Sequence, residues 1–302
     1  LCAPVHDPFY VFRSIDGSRD HAAGLAAGLI AYKAFQLMPD SWLLDYDETE
    51  IPAGFAERRA LPLLPQGLFL IILTGLLYAL IPQISNGWQR AAAMLAIPIL
   101  LLILVSDWKT RIIPDQLTLA LVLPALIKIV GEGLAGTPWP AAFGKPVLAG
   151  IVAGGSLLLI GLIGQLLLRR DAMGMGDVKM IAVAGLLVGW GRLPHLLLLA
   201  FLTAAVIAVP LLIRNKLAER RIEKTDAPEQ LSCAGIDAET DLIEPSESVR
   251  ADYPDSDADP DPVDDPNAMA FGPFIAISVL ILMLCPGLID KLIQAYLGLI
   301  LR

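Results

Sequence analysis

Residues 146–168 read PVLAGIVAGGSLLLIGLIGQLLL and hold no charged side chain. This run decides the fold class. In a bilayer every backbone N–H and C=O must be paired within the segment, so an apolar run of about 20 residues reads as a helix. Working outward, comparable runs occupy 67–85, 91–106, 116–130, 193–213 and 268–289. A shorter one at 180–191 begins near Asp177. The run 116–130 carries one charge, Lys128, near its far end, where a lysine stem can snorkel to the interface. Residues 22–38 offer either an eighth span, interrupted by Lys33, or a surface helix. Residues 292–301 are too short to cross and read as an interfacial tail. The expectation is an all-α polytopic membrane protein with seven to eight transmembrane helices.

Composition points the same way. Of 302 residues, 56% are hydrophobic and 18% charged, below the roughly 25% of soluble domains. Mean hydropathy is +0.64. Soluble globular, disordered and disulfide-scaffold classes are excluded. The net charge of −9 is local: residues 216–268 hold 16 acidic and 5 basic side chains, a balance of −11, which leaves +2 for the rest. No basic patch is dense enough for nucleic acid. Cys2, Cys233 and Cys285 stand singly, so neither a cysteine-based zinc site nor paired disulfides are expected. The first residue is Leu, so the start lies upstream or at a non-standard codon. No small-residue cleavage pattern follows residues 22–38, which argues against a signal peptide.

Four regions follow. Residues 1–65 hold the possible first helix and a short acidic loop, and 66–214 the core helices. Residues 215–268 form an acidic, Pro- and Ser-rich linker expected to be disordered, and 269–302 the last helix and tail. Counting crossings puts residues 107–115, 169–179 and 214–267 on one side. That side carries Lys109, Arg111, Arg169, Arg170, Lys179, Arg214, Lys216, Arg220, Arg221 and Lys224. The other carries chiefly Arg90, Lys145 and Arg192, so the first side is expected to be cytoplasmic.

Two polar stretches interrupt the apolar pattern on that side: Ser106-Asp-Trp-Lys-Thr-Arg-Ile-Ile-Pro-Asp115 and Gly174-Met-Gly-Asp-Val-Lys179. Each sets an aspartate at a helix end, and an ionisable group there is costly enough to suggest function. Bland alternatives exist. Asp177 could cap the following helix, and Asp107 could anchor the interface beside Lys109 and Arg111. Two aspartates meeting on one face would instead suit an aspartic protease, in which close carboxylates share a proton and activate water. Lys179 reads as a substrate contact, a modulator of the pair or an interfacial anchor. Asp115 reads as a helix cap, His195 as interfacial, and Gly154-Gly155 as a site of close helix packing.

The two stretches resemble those of type IV prepilin peptidases, membrane aspartic proteases with a Gly-x-Gly-Asp signature. Asp107 precedes a basic Ile113-Pro114 stretch, and Asp177 closes Gly174-Met-Gly. Phe271-Gly-Pro-Phe274 resembles a third piece, and the likeness covers roughly residues 67–289. The resemblance implies catalytic Asp107 and Asp177, loop-shaping Gly174 and Gly176, and a substrate groove near Lys179, Phe271, Gly272 and Pro273. It implies cleavage of the basic leader from type IV prepilins or type II secretion pseudopilins at the cytoplasmic face of the inner membrane. It implies no cofactor and no metal for the cleavage.

The chain departs from the family in two places. Asp115 stands where the family usually has Asn, and residues 39–65 lack the two CxxC pairs of members that also methylate, which argues against zinc and methyl transfer here. The acidic linker reads as a solvated loop; the alternative is that it steers basic leaders. A non-catalytic pilin-binding component of a pilus or secretion assembly is the rival reading, and a transporter a more distant one. Oligomeric state is not legible.

Overall fold

A computed structural model describes residues 17–44, 55–168, 174–226, 271–285 and 287. Among the described residues there are nine α-helices and no strand, so the all-α expectation holds. The helices are α1 (Gly17–Leu37), α2 (Phe55–Arg59), α3 (Leu68–Tyr78), α4 (Gly87–Thr110), α5 (Asp115–Leu134), α6 (Trp139–Leu168), α7 (Met175–Val188), α8 (Leu193–Asp226) and α9 (Gly272–Leu284). The described chain forms two compact units. One runs to Ala204 and resumes at Phe271; the other is the distal part of α8, from Ala205 to Asp226, which is helical throughout. The helix thus continues past residue 214, where the linker was expected to begin. Residues 227–270, with most of the acidic linker, lie outside the described residues, as does the tail 292–301.

Five segments are long and apolar enough to cross a membrane: Leu63–Gln83, Gly87–Thr110, Asp115–Leu134, Trp139–Leu167 and Trp190–Ala208. Two more of the expected spans, α7 and α9, are apolar but only 14 and 13 residues long. The protein is an integral membrane protein. Its lipid-facing character is plain on α6, where Ile151, Leu159, Leu162 and Leu166 are exposed. Apolar side chains pointing outward on every turn are what lipid accepts and water does not.

Small residues set the close contacts. A Cβ on Gly150 would lie 2.9 Å from the Ala182 carbonyl oxygen, and one on Gly185 2.8 Å from that of Ala149. Gly154 faces the Ala182 Cβ in the same seam, while an added Cβ on Gly155 meets nothing within 4 Å. The packing role expected of this pair therefore belongs to Gly154 alone. The helix α1 lies on α3 through a second seam, with Gly24 against Tyr78 and Gly28 against Ile71. Backbones approach this closely only where side chains are absent.

One polar residue, Lys128, behaves differently from expectation. Lys128 does not reach for the interface: its Nζ donates to the carbonyls of Leu187 at 2.7 Å and Val188 at 3.0 Å. It thus caps the C-terminus of α7, satisfying orphan carbonyls and the negative end of the helix dipole. His195 is half-buried near the start of α8, and its Nδ1 is buried with no hydrogen-bond partner among the described residues. Replacing Lys128 with Met should destabilise the fold by about 1–3 kcal/mol, the usual worth of hydrogen bonds to a charged group. Thermal unfolding of the purified protein in detergent would show the loss.

Candidate active site

The first aspartate sits in the last turn of α4. Asp107 is only 3% exposed. The helix closes behind it through Arg111, whose φ of 56° is left-handed and whose N–H donates to the Asp107 carbonyl at 2.9 Å. A non-glycine residue at such a φ is uncommon and marks a fixed turn. Side chains staple the turn. Ser106 Oγ donates to the Ile112 carbonyl at 3.0 Å, and Thr110 Oγ1 to the Ser106 carbonyl at 2.9 Å. Pro114 then starts α5, fixing the backbone for a new helix. Asp107 is thus a buried side chain at the end of α4.

The second aspartate is the third residue of α7. Gly174 is the N-cap, and no side chain caps the helix there, so Asp177 is not the cap that its position suggests. Its carboxyl lies in the first turn, where the helix dipole favours negative charge. Gly174 has φ −68° and ψ 137°, a conformation open to any residue. Gly176 is the tighter point: a Cβ there would lie 3.3 Å from the Ile113 Cβ.

The third piece closes the site. Gly272 opens α9, followed by Pro273 in the first turn. A Cβ on Gly272 would collide with the Asp107 Oδ2 and lie 2.8 Å from the Ile113 Cδ1. The carboxylate therefore occupies the space that a side chain at 272 would fill. The Gly272 N–H faces the Asp107 carboxyl, and the Arg111 charge acts on it. Oδ2 of Asp107 is buried without a hydrogen bond among the described residues. The negative charge of Asp107 in turn acts on the Asp177 carboxyl. The three polar stretches, far apart in sequence, thus meet at one end of the bundle.

Ile113, named above only as part of the motif after Asp107, has a packing role that the sequence did not show. It is buried between Gly176 and Gly272 and packs the α4–α5 turn against the starts of α7 and α9. An isoleucine inside a basic turn was the available signal. Other expected site residues lie further out. Lys179 Nζ bonds both carboxylate oxygens of Asp115, at 3.0 and 2.7 Å. Asp115 is consequently an ion-pair partner and the first residue of α5, not the expected cap; Pro114 holds the cap position. Phe271 stacks at 5.7 Å on Phe201 and at 6.3 Å on Phe274, forming an aromatic cluster beside the site. Among the described residues no group of three or more His, Cys, Asp or Glu side chains could hold a metal ion.

Fold and site define a helical membrane protein with a buried carboxyl, Asp107, whose charge reaches a second, half-buried one, Asp177. Comparison with known proteins finds part of the chain similar to one family. Residues 94–209 match the model of the type IV leader peptidase family, which bears out the resemblance read from the motifs. A prepilin leader peptidase/N-methyltransferase of Aeromonas salmonicida is 34% identical over 148 residues, 48% of this chain and 48% of that one. One of Dickeya chrysanthemi is 35% identical over 133 residues, 44% and 42% of the two chains. One of Klebsiella pneumoniae is 31% identical over 141 residues, 46% and 59%. The chain spans about half the length of the curated relatives it matches. No solved structure matches.

The glycine geometry yields a graded test. Gly272→Ala forces the Asp107 carboxyl to move and should lower any catalysis that depends on that carboxyl at least about a hundredfold, the cost of a misplacement near 1 Å. Gly144→Ala, where an added Cβ meets nothing within 4 Å, should leave it unchanged. Initial rates at matched expression would measure both.

Proposed function

We propose that this protein is a membrane aspartic endopeptidase with Asp107 and Asp177 as its catalytic pair. It removes the basic leader from type IV prepilins or type II secretion pseudopilins. What supports the reading is that Asp107 sits at the N-terminus of α9, that Ile113 packs against both Gly176 and Gly272, and that the Asp107 charge reaches the Asp177 carboxyl. The peptidase-family match over residues 94–209 supports it, since both aspartates fall within that stretch.

The chemistry needs no covalent intermediate. The pair holds one proton between two carboxyls, because neighbouring negative charges resist joint ionisation. The ionised member takes a proton from water as the oxygen attacks the scissile carbonyl. The protonated member donates to the carbonyl oxygen. Collapse of the tetrahedral species breaks the C–N bond: the proton taken from water passes to the leaving amine, and one hydroxyl of the gem-diol returns its proton to the carboxyl that had donated. The dyad then returns to its starting state. The pair titrates as a unit, so acid and base are not assigned to individual residues. The unpartnered Oδ2 of Asp107 suits an oxygen reserved for water or substrate. Gly174, Gly176, Gly272 and Pro273 shape the walls, and Phe271 borders the substrate groove.

The substrate is a membrane helix whose leader emerges on the side of the dyad. The Lys and Arg asymmetry supports a cytoplasmic orientation, and the relatives' bacterial origin an inner-membrane location. Residues 66–214 with 269–302 form the peptidase core in this reading, residues 1–65 the entry region, and 215–268 a cytoplasmic linker.

A cleavage assay in membrane vesicles tests the proposal, using a prepilin with its leader. Wild type should cut it, and Asp107→Asn and Asp177→Asn should each abolish cutting at equal expression. Cleavage surviving in both variants would overturn the dyad. A wild type inactive on several prepilins would favour a non-catalytic, pilin-binding component.

A further inference from the structure

The contacts that join α4 to α7 run through two intermediaries, α5 and α9, each of which packs on both. The helix α5 is unusual in how it is tied. At the site end, its first residue, Asp115, accepts a forked bond from Lys179 of α7 at 3.0 and 2.7 Å. At the far end, Lys128 of α5 holds the last carbonyls of α7. Two lysines, pointing in opposite directions across one interface, thus fasten α7 to α5 at both ends and oppose sliding along the helix axis. The helix α5 is in turn continuous with α4 through the short turn 111–114, stapled by the Ser106 to Ile112 bond. A path of fixed geometry therefore runs from Asp107 through the turn to Asp115, across the ion pair to Lys179, and back two residues to Asp177.

We propose that the Asp115–Lys179 ion pair is a positioning device that sets the separation of the Asp107 and Asp177 carboxyls. The inference rests on the reading of those two aspartates as the catalytic dyad. Energetics separate positioning from plain stabilisation. Both side chains are about two-fifths exposed, at 41% and 39%. An ion pair in contact with water contributes little to folding, because solvent screens it and two long side chains lose freedom. Its forked geometry still fixes direction. Catalysis reads such direction steeply, since small misplacements of reacting groups cost much of the rate. The Asp at position 115 also gains meaning here. An amide at that position would keep the shape but give up the charge that holds Lys179.

The competing role for Lys179 is direct contact with substrate. The two roles separate in the kinetics of the full-length protein in detergent or vesicles, with a prepilin as substrate. Asp115→Asn and Lys179→Gln should each lower kcat about ten- to a hundredfold, with KM within about twofold of wild type. Their thermal unfolding midpoints should match wild type. The exchanged pair, Asp115→Lys with Lys179→Asp, should recover most of the lost kcat, and Asp115→Glu, which keeps the charge, should stay closest to wild type. A wild-type kcat in either single variant would overturn the proposal. So would a loss confined to KM, or an exchanged pair as slow as the singles. Asp107→Asn and Asp177→Asn run alongside as controls. If they still cleave, the dyad reading fails; if they are dead while Asp115→Asn is fully active, only the positioning role fails.

Discussion

The site depends on a steric constraint at Gly272. A buried carboxylate needs space and a donor, and the N-terminus of α9 supplies both because residue 272 has no side chain. Any Cβ there would occupy the position of the Asp107 Oδ2. Around this point the other elements are arranged. Ile113 fills the gap between the two glycine-lined helix starts, and the left-handed turn at Arg111 returns the chain so that Ile113 can do so. Backbone packed on backbone lets three helix ends converge in an apolar bundle, and the convergence brings Asp177 within electrostatic reach of Asp107.

Much of this was legible in the sequence. Apolar runs mark helices because the bilayer leaves the backbone no other partner. Two aspartates at helix ends stand out against such a background for the same reason. The helix bounds were less legible. The run 146–168 stops at Lys145, yet α6 begins at Trp139 and passes through both Lys145 and Pro146. Likewise α8 continues past the apolar run to Asp226. An apolar run measures the thickness of lipid, whereas a helix ends only where its hydrogen bonds stop.

The misread residues share a cause. Lys128 and Asp115 each had a local interpretation, snorkelling for the first and capping for the second. The structure pairs Lys128 and Asp115 with groups roughly sixty residues away, on α7. Local rules rank what a residue can do with its sequence neighbours, and they are silent about partners supplied by packing. The packing role of Ile113, named only as part of a motif, was hidden for the complementary reason. An apolar side chain in a polar turn has no local use, and its function appears only when two glycines from distant helices close around it.

The central claim is that Asp107 and Asp177 face each other in the folded membrane protein. Thiol cross-linking tests it most directly. With Cys2, Cys233 and Cys285 replaced by Ser, cysteines at 107 and 177 would be treated in membranes with a short bifunctional thiol reagent. The reagent should join the two positions, so that the product stays linked after the chain is cut between them. Efficient labelling of each single-cysteine variant with no link in the double variant would contradict the account.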